Sequence, residues 1–279
     1  MQKIAILVLI LISNFIFSQN SFSLQSEENN APIQYAKIFV NNNYVATTDA
    51  IGVFVIDEKY LNETVSLFAI GYKPTKAHLT NNNTVIKMET QRIELNEVIV
   101  VEKKTTRLKQ YKVGKLKNGD KGIVCEKEKS TATHLAKFFP NNYKGITYLE
   151  KIRFKAISHE ENRIIAIYIY NLDSKGLPNE ILNTKNLICY VKKGHNVNEI
   201  DVSNLNLKLP ENGIYITFNY LLLEQNKQYG QINKNWFYYE PSMDALDTEQ
   251  FEDTYYFKDN TWVKAEGYSI VAQLIVSNQ

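Results

Sequence analysis

APIQYAKIFVNNNYVATTDAIGVFVIDEKY, residues 31–60, is the stretch whose reading decides the fold of this 279-residue chain. Ala36, Ile38 and Val40 alternate with Tyr35, Lys37 and Phe39, the two-residue period of a strand that buries one face. Asn41, Asn42 and Asn43 break the pattern, and residues 44–48, rich in β-branched and aromatic side chains, read as a return strand. Asp49, Ala50, Ile51 and Gly52 then make a tight turn. Aspartate bonds its own backbone two residues on, and glycine accepts the positive φ that bulkier residues resist. Residues 53–56 are the next strand, with Phe54 and Ile56 on one side. Both alternating sets of residues 65–72 are largely apolar, the pattern of a central strand covered on both faces. Upstream, Phe22 and Leu24 have the alternation of a first strand; downstream, Ile86, Met88, Ile93 and Leu95 lead to the last one.

Four elements together resemble the carboxypeptidase regulatory-like domain, a small transthyretin-like β-sandwich. They are residues 32–40, the Asp49-x-x-Gly52-x-Phe54 hairpin, the Gly71-Tyr72 pair and the motif Leu95-x-Glu97-Val98-x-Val100. The resemblance implies such a sandwich over residues 20–101 and brings no catalytic residues with it. TonB-dependent receptors carry a similar first domain, but no plug or long barrel pattern follows here, so transport is not implied.

Lys and Arg number 32 against 30 Asp and Glu, so no global field recruits nucleic acid or a membrane surface. A hydrophobic content of 44% is enough for real cores, and 18 Tyr against 11 Gly and 6 Pro favour a β-rich globular protein. Residues 1–19 read as a signal peptide, with Lys3 as the positive region and residues 4–17 as an apolar run too short to span a bilayer comfortably; an uncleaved anchor is the competing reading. Ser21-Phe22-Ser23 offers a cleavage pattern, but cutting there would remove a strand, so cleavage is expected near Gln19. No Cys follows the apolar run, against a lipoprotein. The expected address is a bacterial periplasm, the outer membrane or the medium, with no transmembrane segment after processing. In such an oxidising compartment Cys125 and Cys189 are either a disulfide or two buried thiols; Cys189 lies in the apolar run 187–191.

Residues 102–121 form a basic connector in which Lys103, Lys104, Arg107, Lys109, Lys112, Lys115, Lys117 and Lys121 face only Glu102 and Asp120. Tyr111, Val113 and Leu116 punctuate it, as in a solvated linker leading into an edge strand; the sharper alternative is contact with anionic lipid, glycan or nucleic acid. Residues 122–279 carry strand patterns at 150–157, 164–170, 187–192, 197–202, 213–223, 236–239, 254–258 and 268–276. The order of Phe154, Tyr168-x-Tyr170, Gly176-x-Pro178, Ile200-Asp201-Val202 and Ile214-Tyr215-Ile216 resembles a jelly-roll domain found after regulatory-like domains in exported bacterial proteins. The expected fold class is therefore all-β: a transthyretin-like sandwich followed by a jelly-roll-like one.

Catalysis finds few footholds. A zinc peptidase needs a His and a Glu close in sequence, but Asn81, Lys137, Asn162 and Asn198 stand three residues after the four histidines. His159-Glu160 begins an HExxH pattern, yet Arg163 replaces its second histidine. Gly267-Tyr268-Ser269 begins a nucleophile elbow, yet Val271 replaces its second glycine. The carboxylate pairs Glu160/Glu161 and Glu252/Asp253 would serve a hydrolase only across a cleft. For binding, Trp236 and Tyr238 share one face of a strand, with Phe237 and Tyr239 on the other, and Tyr255, Phe257 and Trp262 lie nearby in sequence. Residues 240–253 read as an acidic loop, solvated or holding Ca²⁺ through Asp244, Asp247 and Glu249; no other cofactor is expected. The expected function is a non-catalytic, exported envelope module that binds or scaffolds an envelope protein or polysaccharide, not nucleic acid. A carbohydrate-binding protein using the aromatic face is the alternative, and a hydrolase built around Glu160 or Glu252 is the third.

Overall fold

A computed structural model describes residues 20–80, 84–91, 109–126, 133–143, 145, 147–230, 236–247, 253–258 and 261–278. Among these residues the fold is all-β, with single 3-10 turns at Glu58–Tyr60, Ser203–Leu205 and Glu224–Asn226. No described helix is long and apolar enough to cross a membrane. The segment 1–19 and the motif at 95–100 lie outside the described residues.

The first sandwich contains β1 (Asn20–Ser26), β2 (Lys37–Val40), β3 (Asn43–Thr47), β4 (Val53–Ile56), β5 (Thr64–Phe68), β6 (Thr75–His78) and β7 (Val85–Met88). One sheet has the order β4-β1-β7 and the other β3-β2-β5-β6. Phe22 and Leu24 of β1 are buried against Ile38, Val40, Val65 and Leu67 of the facing sheet, so β1 is integral to the core. The Asp49 turn forms as its residues dictate: Asp49 Oδ1 accepts the N–H groups of Ile51 and Val53, both at 2.9 Å. Gly52 has φ +76°, and an added Cβ would lie 2.8 Å from the Leu24 carbonyl oxygen.

The second sandwich contains β8 (Lys109–Gly114), β9 (Lys121–Cys125), β10 (His134–Phe139), β11 (Thr147–Ser158), β12 (Arg163–Leu172), β13 (Pro178–Ile181), β14 (Leu187–Val191) and β15 (Gly194–Asp201). It continues through β16 (Ile214–Tyr220), β17 (Lys227–Tyr229), β18 (Phe237–Asp247), β19 (Thr254–Lys258), β20 (Thr261–Lys264), β21 (Tyr268–Ile270) and β22 (Ala272–Asn278). A seven-stranded sheet runs β13-β12-β16-β10-β19-β20 with β14 also on β12. An eight-stranded sheet runs β17-β18-β11-β22-β8, with β15 also on β11 and both β9 and β21 on β18. Their inner faces share one core, in which Phe154 and Phe218 meet with ring centres 5.0 Å apart. Part of the basic stretch is therefore structural: β8 is an edge strand whose Val113 enters the core. The apolar segment 268–276 is divided at Val271, so that β21 pairs β18 while β22 pairs β11 and β8.

The outward residues of β2 and β5 do not face water. Tyr35, Phe68 and Ile70 of the first sandwich pack on Ile164, Ala166, Tyr168, Leu221 and Leu223 of the second. Thr47 Oγ1 accepts the Leu222 N–H at 2.9 Å, and the Asn186 side chain donates to the Gln34 carbonyl at 3.0 Å. The two sandwiches thus share a seam with apolar contacts and directed hydrogen bonds. This accounts for the two apolar sets of residues 65–72: one enters the core, the other the seam.

Candidate functional site

The aromatic run at the start of β18 is sorted by strand alternation. Phe237 and Tyr239 pack into the core of the second sandwich. Trp236 and Tyr238 take the other side; Trp236 is 42% exposed and Tyr238 half-buried. Their ring centres are 5.4 Å apart with planes inclined by 48°, so the pair forms an angled wedge rather than one flat shelf. Tyr238 lies opposite Gln228 of β17, and Tyr229, the next residue of β17, is itself exposed.

Beside this wedge is a polar network that the sequence patterns did not single out. The Glu240 side chain is fully buried. Its carboxylate accepts the Arg163 Nε–H at 3.1 Å, pairs with His159 Nδ1 and accepts the His159 backbone N–H at 3.2 Å. Arg163 also donates through its Nη2 to the side-chain Oε1 of Gln228 at 3.4 Å. Burial raises the Tyr238 phenol above its usual range, the Glu240 charge adding to it and Arg163 opposing it. His159 is half-exposed, so the network connects the buried carboxylate to the surface. In the sequence, His159 and Arg163 entered only as an HExxH pattern that Arg163 breaks, and Glu240 only as the start of the acidic segment.

Tyr255 and Trp262 do not join Trp236 and Tyr238; they sit on the other sheet. Tyr255 meets Tyr215 edge-on at 5.6 Å, and Trp262 meets Phe257 at 5.1 Å and Tyr170 at 6.0 Å. All four expected aromatic residues are thus placed, but as two patches.

The acidic loop is corrected to a strand, since β18 continues through Asp247. Asp244 is buried, held by His195 Nε2 at 2.8 Å and by the Gly119 N–H at 3.0 Å, while Asp247 pairs with Lys121 at 3.1 Å. Glu249 lies outside the described residues. Strand geometry sends Asp244 and Asp247 to separate protein partners. Among the described residues no group of three or more His, Cys, Asp or Glu is placed to hold a metal.

The disulfide alternative is likewise corrected to two buried free thiols, on β9 and β14. The two strands belong to different sheets, where Cys125 is opposite Tyr239 and Cys189 opposite Ile165. Burial pushes the Cys125 thiol up to about 12 and the Cys189 thiol up to about 11.

Of the carboxylates considered for hydrolysis, Glu160 is exposed and pairs with Lys193 at 3.3 Å, and Glu252 lies outside the described residues. Ser269 is 2% exposed; its Oγ accepts from Lys137 Nζ and donates to Asp253 Oδ1, both at 2.7 Å. Lys137 also pairs with Asp253 Oδ2 at 2.7 Å, so these groups satisfy one another within the fold.

No family model matches this sequence, and no curated protein matches it. Among solved structures, the chain is similar to a clostridial cysteine protease, Cwp84, after propeptide cleavage. The identity is 15% and the TM-score 0.40, over 62% of this chain and 40% of that one. It is also similar to the cysteine protease and lectin-like domains of Cwp84, a surface layer associated protein of Clostridium difficile. There the identity is 10% and the TM-score 0.35, over 93% of this chain and 62% of that one. The chain therefore spans less than two thirds of the length of either structure.

Proposed function

We propose that this chain is a non-catalytic binding module of the bacterial cell envelope whose ligand is a polysaccharide held on the Trp236–Tyr238 wedge. The observation that carries the reading is an indole 42% open to solvent beside Tyr238, on a strand whose opposite face is anchored in the core by Phe237 and Tyr239. An aromatic face with a polar rim suits a pyranose, whose C–H groups stack on the ring while its hydroxyls take hydrogen bonds at the edge. His159 and Gln228 provide such a rim, and the buried Glu240–Arg163 pair braces both. Export is supported by Lys3 followed by the apolar run at 4–17. The carboxypeptidase regulatory-like resemblance of the first sandwich is consistent with a binding role, since it brings no catalytic groups.

The test is titration of the chain against envelope and plant polysaccharides, with Trp236→Ala and Trp262→Ala in parallel. Saturable binding is expected, weakened about tenfold by Trp236→Ala, which corresponds to about 1.4 kcal/mol of stacking. Trp262→Ala should leave it unchanged. Binding that survives Trp236→Ala, or no binding to any glycan, overturns the reading.

A further inference from the structure

Lys37 is the least expected residue of the fold. Its place on β2 is on the side turned away from the first core, where sequence alternation puts a solvated lysine. Instead it is 2% exposed and driven into the seam. Its Nζ contacts His134 Nε2, donates to Asn219 Oδ1 at 3.1 Å and lies 4.5 Å from the centre of the Tyr168 ring. His134 of β10 and Asn219 of β16 are cross-strand neighbours, so the second sandwich presents them as a pair. The other groups facing the cluster are Tyr44 from β3, Thr133 on His134 Nδ1 at 2.6 Å, and Phe257 from β19 edge-on to the imidazole. Among the described residues no carboxylate contacts Lys37 or His134.

We infer that Lys37, His134 and Asn219 form a proton-sensitive latch that holds the two sandwiches together when the pair is singly protonated or neutral and releases them on acidification. The contact between Nζ and Nε2 has room for one hydrogen: an ammonium donating to imidazole, or an imidazole N–H donating to a neutral amine. A second proton places two cations side by side in a dry seam with no anion to balance them. Opening the seam returns both to water. Burial holds the Lys37 amine well below its ordinary value; burial, then the neighbouring Lys37, holds the His134 imidazole down. Both bases therefore bind a proton less readily in the closed seam than in the open chain. Their contribution to closure is complete above the open-chain values and is lost as pH falls through the window below them. That window opens at 10.5 for Lys37 and at 6.5 for His134. The seam tightens from neutral to alkaline pH and loosens below 6.5, before most carboxylates take protons at about 4. Lys137 is a built-in contrast, because Asp253 balances its buried amine.

The test is hydrogen exchange of the full chain between about pH 8 and about pH 5.5, the range in which histidine changes charge, corrected for intrinsic rates. The reporter is the Leu222 amide, whose acceptor Thr47 Oγ1 is across the seam; the Leu274 amide, inside the second sandwich, is the reference. Protection at Leu222 should fall about tenfold or more on acidification while Leu274 stays within about twofold. Lys37→Met and His134→Gln should each reduce the change, and the double variant should flatten it. Equal protection of wild-type Leu222 at both pH values overturns the latch, as does a fall that either single variant retains in full or that the double variant retains at all. Should the variants at Lys37 not fold, His134→Gln decides: a fall as steep as the wild type's overturns the latch, and a shallower one supports it.

Discussion

Glu240→Gln is the substitution that most directly tests how the wedge is braced. Glutamate offers two acceptor oxygens, and here both are used: Oε2 by Arg163 Nε at 3.1 Å and Oε1 by His159 Nδ1, with the His159 N–H across both. Glutamine keeps the shape but replaces one oxygen with an NH₂ group, so one donor meets another donor. It also removes the charge opposite a guanidinium whose side chain is only 10% exposed. Breaking a buried ion pair from one side costs about 3–5 kcal/mol, whereas an exposed pair is worth about 0–1 kcal/mol. Glu240 is fully buried, which selects the first range; Arg163 retains Gln228 at 3.4 Å, which selects its lower end. The expected loss is about 3 kcal/mol in urea unfolding, as a shifted midpoint at constant slope. Adding Arg163→Met should restore much of it, because the stranded cation is then gone and a hydrophobic side chain fills the space. A single-variant cost below about 1 kcal/mol would place the pair among surface contacts and refute the bracing argument. A double variant no more stable than Glu240→Gln would refute it too.

Two further outcomes follow from the placement of the thiols and the acids. Neither Cys125 nor Cys189 should react with iodoacetamide near neutral pH until the chain is unfolded, because the thiolate is the nucleophile and both thiols are pushed up, to about 12 and about 11. Alkylation of the native protein at the rate of a free thiol would contradict their burial. Added Ca²⁺ or chelator should leave the melting temperature unchanged, since Asp244 is committed to His195 and Gly119 and Asp247 to Lys121. A calcium-dependent rise beyond about 2 °C would mean these acids bind the ion after all.

The parts of the fold that local chemistry specifies were legible, and the parts that depend on a distant partner were not. Ala36, Ile38 and Val40 had to be buried on any strand, and Asp49 and Gly52 had to turn, because period and turn chemistry act within a few residues. The alternation of residues 236–239 likewise separated two aromatic faces; which of them entered the core was settled by the opposing sheet. Residues 240–247 read as a loop because a strand with Glu240, Ser242 and Asp244 looks too polar to bury. It is a strand because His159, Arg163 and His195, remote in sequence, supply the missing partners. Lys37 is the sharper instance. A lysine on the outward side of an amphipathic strand is the ordinary mark of solvent, and only its aromatic neighbours on that face, Tyr35 and Phe39, say otherwise locally. What betrayed the seam lay one strand away, where Phe68 and Ile70 gave β5 and its continuation a second apolar set. A strand covered on both faces cannot stand in a sheet whose outer surface is wet, so its neighbour β2 had to be covered as well. Followed one step further, the same pattern would have placed Lys37 under that cover, where it needs the partners that His134 and Asn219 provide.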